Sequence, residues 1–269
     1  MKHTTFELLA CPICHGKLES YCVDTNADPC LTGNLYCKTC STNYSILDGI
    51  PHFIQSETLK GLNQRFSHAY DWFSLGYRAF SKVAFTYIGL DEQTARREIT
   101  DRLVPAGGKV LEVSIGPGVN LPGLVNRQDV GEIFGLDISL GQLKRCQSYL
   151  HKKSWGVDLF LGNAEQLPFR DNCFDSVFHV GGINFFNDKK AAIDEMIRVA
   201  RPGAHILIAD ETENGARGYE KFMPGFKDLF GGKRAEIVPP LALVPPEMHQ
   251  ARVQEVWKGW MYCIEFKKP

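Results

Sequence analysis

The sequence predicts an α/β fold, a mostly parallel sheet covered by helices on both faces, with a small metal-stapled module in front of it. Three observations predict it. Short apolar runs at 110–113, 133–136, 157–161, 174–180 and 206–209 alternate with helix-patterned segments, the repeat expected of strand–crossover–strand units. The first run ends in a turn of small residues, Ser114, Gly116 and Gly118, where backbone can approach a ligand closely. Two Cys-x-x-Cys pairs, Cys11/Cys14 and Cys37/Cys40, stand near the N-terminus with 22 residues between them.

The composition sets the class. A chain of 269 residues with 44% hydrophobic and 23% charged side chains has the make-up of a globular protein, large enough for one ordinary domain and an appendage. Its formal net charge of −1 argues against a broadly basic nucleic-acid footprint. No stretch approaches the roughly 20 apolar residues that span a bilayer, and the first residues lack the apolar core of a leader, so a cytoplasmic protein is expected.

The module at 1–55 comes first. Two thiolates two residues apart form one knuckle, and two knuckles supply the closed four-sulfur shell of a structural zinc site. Cys11, Cys14, Cys37 and Cys40 are therefore the expected Zn2+ ligands, and a closed shell leaves no position for catalysis. Unrelated core cysteines would not repeat one spacing twice. Cys22 and Cys30 are read as ordinary small residues and His15 as a less favoured substitute ligand. An alternating strand then runs into Asp48-Gly49-Ile50-Pro51, a turn. From 8 to 53 the chain resembles the short zinc-ribbon family that includes small activator subunits of tRNA and protein methyltransferases, where such a "DGIP" turn follows the second cysteine pair. The resemblance implies a folding module and a surface for a protein partner.

Residues 56–104 read as a helical lid or linker, crowded with Phe66, Tyr70, Trp72, Phe73, Tyr77, Phe80, Phe85 and Tyr87. Aromatic residues at that density serve as core or helical cover; a lid over a pocket is the functional alternative. Tyr70-Asp71 resembles the segment that precedes the cofactor domain in quinone-ring methyltransferases, which implies Tyr70 near the bound cofactor.

The remainder, 105–269, carries the nucleotide-like signals. The second apolar run ends at Asp137, the acidic position expected to hold ribose hydroxyls. A dinucleotide loop needs a third small residue where Leu121 stands, so that reading fails. Glu112 brings a carboxylate to the loop, which suits a cationic ligand better than a pyrophosphate. Asn163-Ala164, after the third run, is placed to read an adenine edge, and 252–268 reads as a terminal hairpin adding an antiparallel edge.

In this order the pieces resemble the class I S-adenosylmethionine-dependent methyltransferases over about 66–268. The resemblance implies a Rossmann-like, mostly parallel seven-stranded sheet with an antiparallel C-terminal strand. It also implies S-adenosylmethionine as cofactor, held by Tyr70, Glu112, Ser114, Gly116, Gly118, Asn120, Asp137, Ile138, Asn163, Ala164 and Val180. Ser114 departs from the motif's first glycine and Asn163 from its usual aspartate. His179, with Asn184 beside it, follows the fourth strand, where this fold places its acceptor; these two are the expected catalytic residues, a structural histidine being the alternative. Asp210-Glu211-Thr212-Glu213 is read as a solvated loop before a pocket wall. Three functional readings remain. A methyltransferase for a small-molecule, aromatic or quinone-like acceptor ranks first. An rRNA guanine methyltransferase using its ribbon on RNA follows, and a non-catalytic cofactor-binding partner protein comes last.

Overall fold

The computed structural model describes residues 1–24, 28–54, 77–222 and 235–269. Tyr70 and the aromatic run around it lie outside the described residues.

One seven-stranded sheet dominates, in the order β10-β11-β9-β8-β5-β6-β7. Its strands are β5 (Lys109–Val113), β6 (Glu132–Asp137), β7 (Val157–Leu161), β8 (Phe174–Val180), β9 (Ala200–Glu211), β10 (His249–Val256) and β11 (Met261–Lys267). β5 to β9 run parallel, and β11 pairs antiparallel with both β9 and β10. β5 and β8 lie at the centre and bury nearly every side chain, which is why they read as continuous apolar runs rather than alternating ones. The helices begin where a side chain can take an orphan backbone donor. Asp91 caps α2 (Glu92–Thr100), Ser139 caps α3 (Leu140–Lys153) and Asp188 caps α4 (Lys189–Val199), each accepting one backbone N–H. α1 (Tyr77–Ile88) precedes α2, and α5 (Glu213–Phe222) follows β9.

A second, four-stranded antiparallel sheet forms the N-terminal module: β1 (Leu18–Cys22), β2 (Gly33–Cys37), β3 (Thr42–Leu47) and β4 (Ile50–Pro51). It meets the large sheet through backbone contacts at two places, the end of the β7 edge strand and the segment that follows it. The Phe53 N–H donates to Leu161 O at 2.8 Å beside a parallel bridge of His52 to Leu161, and Leu9 bridges Phe169. Flanking that bridge, the Ala10 N–H donates to Pro168 O at 3.1 Å and the Arg170 N–H to Leu8 O at 2.8 Å. An open parallel edge would invite other chains to pair with it; here the chain covers its own edge. The packing is continuous across the junction, because Leu9, Tyr44, Ile46 and Phe53 share one core with Phe134, Phe160, Phe169 and Phe174. Phe169 sits edge-on to Phe160 at 5.0 Å and to Phe174 at 4.9 Å.

Two details differ from the sequence reading, while the terminal hairpin around Gly259 is as expected. β9 starts at Ala200 rather than at 206, because a register shift against β8 absorbs the Arg201-Pro202-Gly203 turn and the Gly203 N–H is taken by Lys268 O at 2.9 Å. Cys22 and Cys30 form a disulfide at the loop end of the β1–β2 hairpin, where both were expected to be ordinary small residues. The β10–β11 turn carries Trp257, Lys258 and Gly259 at positive φ, and the Trp257 indole N–H donates to Ala95 O at 2.7 Å, pinning the hairpin to α2.

Because both sheets share one core, Phe169→Ala is expected to lower the free energy of unfolding by about 3–5 kcal/mol. In a urea titration the module and the large sheet should lose structure in a single transition. Two separate transitions in the unmutated chain would show instead that they fold independently.

Candidate functional site

The site forms where the parallel strands end. After β5 the chain turns through Ser114, Gly116 and Gly118 at φ 61°, 54° and 76°. Gly118 is required there, since a Cβ would stand 2.8 Å from Cys146 Sγ and from Leu121 Cδ1. Gly116 has the opposite reason: a Cβ would meet nothing within 4 Å, and that open space belongs to the cavity. Ser114 adopts the left-handed conformation despite its side chain, at a cost of about 1–2 kcal/mol.

Asp137, at the end of β6, fixes this turn. Its Oδ2 accepts the Gly116 N–H at 2.8 Å and its Oδ1 accepts the Ser139 N–H at 2.9 Å, so one carboxylate ties the glycine turn to the start of α3. Glu112 lies beneath the turn, fully buried, and its Oε1 accepts from Asn120 Nδ2 at 2.7 Å while Oε2 has no hydrogen-bond partner. Burial pushes its carboxyl up to about 8, against the Asn120 hydrogen bond and the charge of Arg96. Arg96 in turn donates to Asn120 Oδ1 at 3.1 Å, Glu92 Oε1 at 2.9 Å and Ser81 Oγ at 3.2 Å. Thus α1 and α2 are hydrogen-bonded to the turn through buried polar groups.

Ser114, Gly116, Asn120, Asp137, Ile138, Asn163, Ala164 and Val180 all line one cavity. Gly118 shapes the turn from behind, and Glu112 reaches the cavity only through Asn120. Gly181, Gly182, Phe185, Phe186 and Glu211 complete the far wall, and Gln142 adds to the near one. No sequence motif marked the two phenylalanines; their place after the fourth strand was the available signal.

The two expected catalytic residues stand elsewhere. His179 is fully buried, its Nδ1 donates to Val113 O at 3.0 Å and its Nε2 accepts the Ile183 N–H at 3.0 Å. Burial lowers its pKa, so the ring is neutral with both nitrogens spent, and it positions the loop after β8 rather than facing an acceptor. Asn184 likewise spends its amide internally, donating to Glu211 O at 2.9 Å and accepting from the Tyr262 hydroxyl at 3.0 Å. Asp210-Glu211 is not a solvated loop: Asp210 is fully buried, and Glu211 belongs to the cavity wall.

The four paired cysteines converge. Their Sγ atoms all lie within 4.8 Å of one another, with Cys11–Cys40 and Cys14–Cys37 each at 3.5 Å. A tetrahedral zinc with Zn–S near 2.3 Å requires S–S edges of about 3.8 Å, so the donor set fits zinc in number, charge and size. Each knuckle closes with a left-handed residue, His15 at φ 55° and Ser41 at φ 57°; His15 is thus part of a turn and not of the cluster.

Fold and site together define the class I S-adenosylmethionine-dependent methyltransferase architecture joined to a zinc ribbon. Family comparison agrees, matching 111–208 to a methyltransferase domain and 2–49 to Trm112p-like protein. The chain therefore carries a methyltransferase domain behind a Trm112p-like module. Among relatives, it is 30% identical to an O-methyltransferase, rstn1, of Aspergillus nomiae over 50% of this chain and 60% of that one. It is 36% identical to a demethylmenaquinone methyltransferase of Renibacterium salmoninarum over 43% of this chain and 46% of that one. The matched segment thus spans about half the length of these curated relatives. In structure it is similar to a chain of the complex between the Haloferax volcanii Trm112 methyltransferase activator and its methyltransferase partner. The TM-score is 0.54 at 15% identity, over 74% of this chain and 97% of that one. Among the described residues, no helix is long and apolar enough to cross a membrane.

Two measurements follow from this geometry. Metal analysis should find about one zinc per chain, lost in Cys11→Ser and Cys37→Ser together with a lower melting temperature; zinc retained in both variants would break the four-sulfur assignment. For Glu112, folding favours the protonated form, so its contribution is full below its ordinary value of 4.5 and is lost as pH rises through about 8. Without cofactor, Glu112→Gln should flatten the fall of melting temperature between those limits, and an unchanged slope would contradict the buried carboxyl.

Proposed function

We propose that this chain is a cytoplasmic S-adenosylmethionine-dependent methyltransferase acting on a small acceptor with an aromatic or quinone-like ring. The carrying observation is one cavity with two unlike ends. One end is walled by the glycine turn, Asp137 and Asn163, and the other by Val180, Phe185 and Phe186. S-adenosylmethionine supplies a methyl group already activated on a positive sulfur. The chain's own task is then to bind, orient and exclude water. Of the residues that line the cavity, we assign Asp137 to the ribose hydroxyls, Asn163 to the adenine edge, and the open space over Gly116 to the amino-acid portion. Tyr70 is assigned to the same cofactor by its motif. The two phenylalanines offer flat apolar faces on which a ring can stack. The likeness to a demethylmenaquinone methyltransferase and to an O-methyltransferase supports an acceptor of that chemistry.

The ribbon has a role inside the same reading. Its backbone covers the β7 edge and its apolar side chains complete the core beneath the cofactor strands, so it acts in cis as the stabilising partner of its own catalytic domain. A second reading, a macromolecular substrate or a protein partner engaged through the ribbon, is favoured by the Trm112p-like match and by the Haloferax volcanii complex. Methyl-tritiated S-adenosylmethionine, incubated with the protein and fractionated cell extract, separates the two. Label is expected in small, organic-extractable material; label in RNA or protein would overturn the small-molecule reading.

A further inference from the structure

Among the described residues, the cavity wall holds two carboxyl side chains, Asp137 and Glu211, and no lysine, arginine or histidine. Asp137 has both oxygens engaged by backbone N–H groups. Glu211 does not: its Oε2 is sealed from solvent and has no hydrogen-bond partner. The residue before it, Asp210, is fully buried and accepts the N–H groups of Gly182 at 3.1 Å, Asn184 at 2.7 Å and Glu211 itself at 2.9 Å. Glu211 Oε2 is thus the one carboxyl oxygen in the wall without a hydrogen-bond partner, the rest of that carboxyl meeting only Asp210 and its own N–H, and it stands where the Gly181-Gly182 turn leaves room.

Resting on the methyltransferase reading, we propose that Glu211 is the counter-charge for a cationic ligand centre, the sulfonium of the methyl donor, and that filling the cavity with that cation ionises it. The bond broken is the carboxyl O–H; its proton passes to solvent, the electron pair stays on Glu211, and nothing is oxidised or reduced. In the empty protein, burial and the adjacent Asp210 carboxylate hold the Glu211 carboxyl well above the usual range, so a proton is present to be released. A sulfonium in a water-poor cavity opposes both effects.

The neighbouring groups leave this role to Glu211. Tyr262, from β11, spends its hydroxyl on Asn184, and burial pushes its pKa far up. His179, from β8, is neutral with both nitrogens engaged. Glu213, opening α5, faces away into Arg217 at 2.8 Å and the Ile237 N–H at 2.9 Å.

The test is calorimetric titration of the whole chain with S-adenosylmethionine and with S-adenosylhomocysteine, the neutral thioether left when the methyl group has gone, across pH 6 to 9. Glu211→Gln, isosteric with the protonated acid, is measured in parallel and cancels titration of the ligand's own amine. Wild type should show affinity for S-adenosylmethionine rising by up to about tenfold per pH unit relative to Glu211→Gln, with about one proton released as read in two buffers of different ionisation heat. Glu211→Gln should bind S-adenosylhomocysteine as wild type does, which also reports that it is folded, and bind S-adenosylmethionine at least about tenfold more weakly at pH 8. A slope and a preference for the cation that persist in Glu211→Gln overturn the proposal, and loss of that slope in Glu112→Gln would assign it to Glu112. Binding of both ligands with the same flat profile overturns this inference alone, whereas no binding of either overturns the methyltransferase reading with it.

Discussion

The carboxylate of Asp137 is the interaction on which the site depends. Its two oxygens take backbone N–H groups from two loops that leave different strands, the glycine turn after β5 and the start of α3 after β6. Hydrogen bonds from amides to a charged acceptor are worth about 1.5–3 kcal/mol each, enough to hold Ser114 in a left-handed conformation that its side chain disfavours. Once the turn is held, Asn120 is placed to satisfy Glu112, and Arg96 extends the hydrogen bonding to α1 and α2. The cavity is therefore shaped before any ligand arrives, which lowers the ordering cost of binding.

The zinc ribbon supports the same wall from outside. β7 is a parallel edge strand whose end supplies Asn163 and Ala164, and such an edge is stable only if something covers it. The ribbon does so by pairing His52 and Phe53 with Leu161 at the end of β7 and by completing a core that runs through Phe160, Phe169 and Phe174. A module of this size buries too little apolar surface to fold alone, and four thiolates on one metal supply what its core lacks. Metal binding in the ribbon and order in the cofactor wall are thereby coupled through packing rather than through a shared ligand.

Much of the fold was legible in the sequence because it is written in local patterns. Central strands buried on both faces must be apolar throughout, the glycine turn needs residues that accept positive φ, and two equal cysteine spacings describe two identical knuckles. The illegible parts depend on partners distant in the chain. His179 reads as a reactive histidine after a strand, but its fate is decided by the carbonyl of Val113, 66 residues away, and by one amide at Ile183. Asp210-Glu211 reads as a solvated acidic pair, and only the pairing of β11 against β9, which sets Tyr262 opposite Asp210, buries it. The backbone part of the ribbon's docking, at Leu9–Phe169 and Phe53–Leu161, leaves no trace in side-chain pattern, and the shared core shows only once the two sheets are brought together.

The most direct test of the cofactor site is titration of S-adenosylmethionine into Asp137→Ala. Loss of the proposed ribose contact, together with release of the glycine turn, predicts affinity weaker by roughly tenfold to a hundredfold with the fold retained. Affinity equal to that of the unmutated chain would contradict both the cofactor assignment and the role of this carboxylate in joining the two loops.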